Sequence, residues 1–333
     1  MRIVSLVPSA TEILALVAGP DALVGRSHEC DHPSEIRSLP ILTAPLAAYD
    51  PSKGMPAAVV DQRVRSQAAA GSSLYTLNEQ LLEELRPDLI VTQALCSVCS
   101  VDPDTVFRAA RAIGDRTGAT PKVITLDPKS VDDVLDDILR IGAVTGAADR
   151  ARDLVVHLNH RMLAAQEWVN PYLDQHVVGF LEWTDPLFIA GHWNVQLIER
   201  AGGLHPLNPT TASARDGAAA GLQQAQRTAK PSRRVSTDDF ARVSPGAIIV
   251  APCGLDLAQA VAETRALLSQ PWFAELPAVR QGRVAIVDGN QMFNRPGPRL
   301  VDAFEFLVGW LHECPELIPE GFPWLPMARL SPN

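Results

Sequence analysis

The first half of the chain alternates continuous apolar runs with segments whose apolar residues recur every three or four positions. The runs "RIVSLV" (2–7), "LIVT" (89–92) and "KVITL" (122–126) read as strands covered on both faces, and "ALVG" (22–25) as a shorter one. Between them, "SATEILALVAG" (9–19), "LNEQLLEELRPD" (77–88), "DPDTVFRAARAIG" (102–114) and "SVDDVLDDILRIGAVTG" (130–146) carry the helical period. Ser9 and Glu12 have capping-box spacing, Gly19 marks the end of that helix and Pro87 stops the next. Residues 44–76 interrupt the alternation with a loop-like stretch, "APLAAYDPSKGMP", and an amphipathic one, "AAVVDQRVRSQAAAG".

A longer helix is predicted over 147–168, where Ala151, Leu154, Val155, Leu158 and Met162 form one stripe and Asn170-Pro171 ends it. Alternation then resumes. "HVVGFLEW" (176–183), "AIIVAPCG" (247–254) and "RVAIVDG" (283–289) read as strands. "NVQLIERAGG" (194–203), "STDDFARV" (236–243), "DLAQAVAETRALLSQ" (256–270) and "GPRLVDAFEFLVGWLHE" (297–313) read as helices. The Ala/Gly-rich stretch from Leu207 to Arg234 reads as irregular, and the Pro-rich tail after Glu313 as extended chain. The predicted architecture is α/β: two Rossmann-like lobes with mainly parallel sheets, 1–146 and 171–333, joined by a linking helix within 147–170, with a ligand cleft between the lobes.

Length and composition agree with two soluble domains: 333 residues, 47% hydrophobic and 20% charged. A net charge of −9 without a basic patch argues against nucleic acid. No run approaches the length of a membrane span. "MRIVSLVPSATEI" lacks the long apolar region and small-residue cleavage site of an export signal, so a cytoplasmic protein is expected. Five cysteines, an odd number, argue against a disulfide scaffold.

Ligands of parallel sheets bind beyond the carboxyl ends of the strands, so the residues there are the candidates. They are Pro8 and Ser9; His28, Glu29 and Cys30 in "SHECDHP"; and Gln93, Cys96 and Cys99. In the second half they are Trp183, Phe188, His192 and Trp193, then Cys253, and finally Phe293, Asn294 and Arg295. Four of the five cysteines fall in this set. His28, Cys30, Cys96 and Cys99 together have the donors for zinc or another thiophilic metal. Buried cysteines acting as small hydrophobes, a thiol redox pair, and a brace of a ligand pocket are the other readings of Cys96-x-x-Cys99. Aromatic residues make up 5% of the chain, so their concentration near one loop stands out. Arg295 offers a planar fork for amides or carboxylates. No G-x-S-x-G, H-E-x-x-H or P-loop is present.

"RIVSLVPSATEILALVAGPDALVGRSHECDHP", "LEELRPDLIVTQALCSVCSV", "FLEWTDPLFIAGHWNVQLIERAGG" and "RPGPRLVDAFEFL" resemble the cobalamin and iron-siderophore binding proteins of ABC transporters, from about Arg2 to Leu311. "SHECD" and "CSVC" together resemble a cytoplasmic, cobalamin-binding-protein-like branch of that family. The resemblance implies a small molecule, a corrinoid such as cobalamin or a related metal chelate, held by the strand-end loops without catalysis. It also implies docking to a permease through a surface Glu on each lobe. Glu79 and Gln80 stand near the first such place, and the absent export signal argues against docking. A metal-ion carrier using the His/Cys cluster, or a thiol-dependent enzyme acting on a metal cofactor, are the alternatives.

Overall fold

The apolar run at the N-terminus folds as β1 (Ile3–Ser5), with every residue buried. The structure is a computed structural model that describes residues 1–45, 55–69, 74–94, 101–170, 172, 175–212 and 227–330. Helix α1 (Pro8–Val17) starts two residues earlier than the capping-box spacing implied. Its N-cap is Val7, in extended conformation and without a side-chain cap. Pro8 takes the first turn, where its fixed φ suits a helix and its missing N–H would have had no partner. Ser9 and Glu12 are buried inside the helix rather than paired at its end.

The first half of the chain continues with β2 (Leu23–Arg26), β3 (Thr43–Pro45), α2 (Ala57–Ala69), β4 (Tyr75–Leu77), α3 (Glu79–Leu85), β5 (Leu89–Gln93), α4 (Pro103–Thr117), β6 (Lys122–Leu126), α5 (Val131–Thr145) and α6 (Ala148–Gln166). Its sheet has the order β2-β1-β5-β6, parallel throughout. Val4 and Ile90 pack with Val106, Ala109 and Ile113 of α4, which explains the unbroken apolar runs. Strands β3 and β4 form a separate antiparallel pair that sets Thr43 opposite Leu77 and Pro45 opposite Tyr75.

Asn78 caps α3 by accepting a hydrogen bond from Leu81 N at 3.0 Å. Replacing it by alanine should lower stability by about 1 kcal/mol, the usual worth of such a cap. Urea unfolding followed by far-UV circular dichroism would read this as an earlier midpoint with the same slope; an unmoved midpoint would deny the cap a role.

The second unit contains β7 (His176–Thr184), β8 (Leu187–Ile189), α7 (His192–Arg200), β9 (Gly203–Leu204), β10 (Thr211–Ala212), β11 (Arg227–Thr228), β12 (Arg233–Arg234), α8 (Thr237–Arg242), β13 (Ala247–Val250), α9 (Leu257–Leu268), α10 (Pro271–Ala274), α11 (Pro277–Arg280), β14 (Val284–Val287), α12 (Leu300–Leu311) and β15 (Trp324–Pro326). The sheet runs β12-β8-β7-β13-β14-β15, with β9 also paired to β7. Its centre, β7-β13-β14, is parallel. The flanking pairs β7-β8, β8-β12 and β14-β15 are antiparallel. Part of the Pro-rich tail is therefore a strand, β15, which covers the edge of β14 that would otherwise present unpaired backbone groups. Phe180, Phe240 and Phe273 are fully buried in this unit.

The compact units comprise Met1–Asp50, Gln62–Pro128 and Asp133–His157 on one side, and Pro51–Asp61, Lys129–Asp132 and Leu158–Asn333 on the other. The division falls inside three helices, α2, α5 and α6. Within the second unit, Arg161 of α6 reaches α12, donating to Asp302 at 2.6 Å and to both oxygens of Glu305 at 2.9 and 2.5 Å. Among the described residues, no helix is long and apolar enough to cross a membrane.

Candidate functional site

In the first unit the loop after β2 is organised from within by Arg26. Its guanidinium donates to the carbonyls of Ser27 at 3.1 Å, Cys30 at 2.9 Å and Arg37 at 2.8 Å, which curls "SHECDHP" into a fixed turn. His28 faces Thr43 at the start of β3: its backbone N–H donates to Thr43 Oγ1 at 3.0 Å, and its ring Nδ1 lies 2.7 Å from the same oxygen. Tyr75 stands beside the imidazole, with ring centroids 5.2 Å apart, and donates its hydroxyl to Glu29 Oε1 at 3.0 Å. His28 Nε2 lies 3.9 Å from that carboxylate. His28, Glu29, Thr43 and Tyr75 thus form one cluster at the end of a parallel strand.

Cys30, in the same loop, has a neighbour on α1. It is 1% exposed, and its sulfur lies 2.9 Å from Thr11 Oγ1, which is itself 2.8 Å from Ser5 Oγ. The imidazole of His28 thus bonds Thr43 through Nδ1, while the Cys30 thiol meets Thr11 of α1. Cys96 and Cys99 lie outside the described residues. Among the described residues, no group of three or more His, Cys, Asp or Glu side chains is arranged to hold a metal ion. Gln93 closes β5, buried, and Ser9 is buried in α1, while Pro8 is half-buried.

In the second unit Trp183 and Phe188 are direct cross-strand partners on β7 and β8, so their rings share one face of the hairpin. The Trp183 indole N–H is held by the carbonyls of Asp185 at 3.1 Å and Ala57 at 3.2 Å. Trp193 donates its indole N–H to the Phe293 carbonyl at 2.7 Å, which ties the start of α7 to the loop after β14. The expectation that the Phe293 ring faces a ligand is corrected: it is fully buried, edge-on to Phe180 at 5.1 Å and Phe306 at 6.1 Å, and belongs to the core. Asn294 donates to the carbonyls of Ala251 at 3.0 Å and Gly289 at 2.8 Å, clamping the ends of β13 and β14 together. Arg295 is 5% exposed and, through its charge, draws Asp288 downward, although burial pushes that carboxyl above its usual value on balance. Cys253 is exposed at the end of β13, and His192 is half-buried with its ring 5.7 Å from that of Trp193.

Four contributors escape sequence reasoning. Thr43 and Tyr75 come from strands far from the loop they support, and Arg26 and Glu182 act through hydrogen bonds that no local pattern announces. Glu182 accepts from Gly191 N at 3.2 Å and Asn194 Nδ2 at 3.0 Å, and burial raises its pKa.

Residues 3–290 match the model of a family described as periplasmic binding protein. No curated protein matches the chain. Among solved structures, the periplasmic heme-binding protein RhuT from Roseiflexus sp. RS-1 is 22% identical, with a TM-score of 0.63, covering 94% of this chain and 98% of that one. The periplasmic vitamin B12 binding protein BtuF of Vibrio cholerae is 19% identical, with a TM-score of 0.60 and coverages of 94% and 98%. A possible iron-binding, periplasmic solute-binding protein from Staphylococcus epidermidis is 21% identical, with a TM-score of 0.63 and coverages of 93% and 98%. At these identities the structures establish a shared fold. They also correct the expectation of a cytoplasmic protein, since the matching family and all three structures are periplasmic by description. The chain belongs to the periplasmic binding protein family.

Proposed function

We propose that this protein binds a corrinoid or a related flat metal chelate through the loops beyond the carboxyl ends of its parallel strands, and carries it without chemical change. The two compact units are, on this reading, the two binding lobes. The observation that carries the proposal is the anchoring of His28. When Nδ1 carries the ring proton and donates it to Thr43 Oγ1, Nε2 keeps its lone pair, the tautomer a metal-ligating imidazole needs. Trp183 and Phe188, half-buried on one face of the β7–β8 hairpin, supply flat apolar surface suited to a macrocycle. Family membership and the heme- and vitamin B12-binding neighbours support a chelate as the ligand class.

The test is a visible-spectrum titration with hydroxocobalamin and, separately, with hemin, followed by sizing chromatography. Cobalamin should co-elute with the protein and change its spectrum, and His28→Ala should weaken binding by about tenfold or more. Co-elution of hemin alone would assign the site to porphyrins, and co-elution of neither would overturn the proposal.

A further inference from the structure

The second unit also holds a cavity of about 340 Å³ at the amino ends of its parallel strands, a volume within the range of small-molecule pockets. His176, the first residue of β7, and Arg283, the residue before β14, line it. His312 and Glu313 line it from the end of α12, and Ala201 and Gly202 from the end of α7. Trp183 stands near the other end of β7, seven residues on from His176, which is ~23 Å at the rise of a strand. The cavity is therefore separate from the wall formed by Trp183 and Phe188.

Donors outnumber acceptors on its walls. Two carbonyls at the helix ends are already engaged: Leu311 O accepts from Arg283 Nη2 at 3.2 Å, and Ala201 O accepts from His312 Nε2 at 2.9 Å. The guanidinium of Arg283 has five N–H donors, and that bond to Leu311 is its one hydrogen bond among the described residues. Yet the side chain is only 24% exposed. Its ion pair with Glu313 is loose, at 3.6 Å, and Glu313 is 83% exposed, so the solvated carboxylate neutralises Arg283 weakly. The half-buried His176 ring has no hydrogen-bond partner among the described residues. Burial, then the charges of Arg283 and His312, hold its pKa below the usual value against the opposing pull of Glu313, so the field at the ring is positive. Of the other elements beside β7, β9 and β13 carry no charged residue, and Arg200 in the last turn of α7 faces Asp132 at 3.8 Å.

We propose that this cavity is a second binding site, specific for a small oxyanion, a carboxylate or phosphate group. The planar fork of Arg283 presents paired N–H donors to two oxygens of such a group, and the His176 imidazole adds another hydrogen bond, charged when the ring is protonated. A metal cation does not fit: the fixed charge beside the two imidazoles is that of Arg283, and among the described residues no three His, Cys, Asp or Glu side chains are arranged to hold one. The anion would tie the starts of β7 and β14 to the end of α12. It favours the protonated His176, so by linkage the bound anion raises the pKa of that ring, and affinity weakens as pH rises through its titration. None of this depends on the chelate-binding reading.

The probes are inorganic phosphate and citrate, each titrated into the full chain against sodium chloride at equal ionic strength. The ring signals of His176 and His312 are followed by NMR. At least one probe should shift both signals saturably, with a Kd of about 1 mM or tighter, and raise the pKa of His176. Arg283→Gln should weaken that binding about tenfold or more, Arg283→Lys should weaken it less because the charge remains and only the fork is lost, and His176→Gln should weaken it about threefold or more. Saturation by phosphate alone would assign the site to phosphate groups, and by citrate alone to carboxylates. Shifts that chloride reproduces, shifts that never saturate, or an affinity unchanged in Arg283→Gln would overturn the site. If Arg283→Gln fails to fold, His176→Gln decides, and binding as tight as in the wild type would overturn the proposal.

Discussion

Phe293→Ala should lower the stability of the second unit by about 3–5 kcal/mol, the range for truncating a fully buried phenylalanine. The ring is wholly enclosed and meets three others edge-on, Phe180 at 5.1 Å, Phe306 at 6.1 Å and Phe322 at 6.4 Å. Phe306 and Phe322 also stack on each other at 4.5 Å, so the cluster cannot collapse into the space without breaking a second contact. The cost is therefore expected near the upper end of the range. Because the Phe293 carbonyl receives the Trp193 indole and Asn294 follows directly, the same substitution should also disorder the β14 loop. Urea unfolding monitored by tryptophan fluorescence reads the first effect, and Phe293→Leu, which keeps most of the volume, should recover over half of it. A midpoint unchanged by the alanine would contradict the core placement of this ring.

Gly191→Ala should be nearly as damaging, for a reason that is purely steric. The backbone of Gly191 has φ −130°, which any residue adopts, so no conformational penalty applies. A Cβ there would lie 2.0 Å from Ser232 N, 2.4 Å from the Pro231 carbonyl carbon and 2.8 Å from Ser232 Cα. All three are backbone atoms, and a rotamer change cannot relieve them. The chain must move apart by more than 1 Å, which is enough to strain the bonds from His192 N to Lys230 O and from Asn208 Nδ2 to Lys230 and Pro231 O. A loss of about 3 kcal/mol is expected, at the upper end for an overpacked site, together with loss of most ligand affinity. Gly246 provides the control: a Cβ there meets nothing within 4 Å, and alanine should be neutral or slightly stabilising. Similar thermal midpoints for the two variants would remove the steric argument.

The strands and most helices are legible in the chain because their cause is local. "DLIVT" and "AIIVA" are apolar without interruption since both faces of a parallel sheet are covered, and helices over 103–117 and 131–145 follow from their 3.6-residue period. The start of α1 was misread because proline at the first helical position and serine at the second compete as signals, and proline's fixed φ decided. The tail was legible as extended chain but not as an edge strand, since pairing with β14 depends on an edge 40 residues away in sequence.

Within the candidate site, position beyond a strand was readable and side-chain direction was not. His28 and Cys30 are two residues apart, yet one bonds Thr43 and the other Thr11. Phe293 and Asn294 are adjacent, yet one ring fills the core while the neighbouring amide clamps two strand ends. The sequence by itself determined the α/β class, the order of the strands along the chain and the loops that carry the polar and aromatic groups, because periodicity and turn chemistry act over a few residues. Only the tertiary structure decided that β3 and β4 bring Thr43 and Tyr75 to His28, and that the Trp193 indole reaches the Phe293 carbonyl, because hydrogen bonds between distant segments leave no period in the chain.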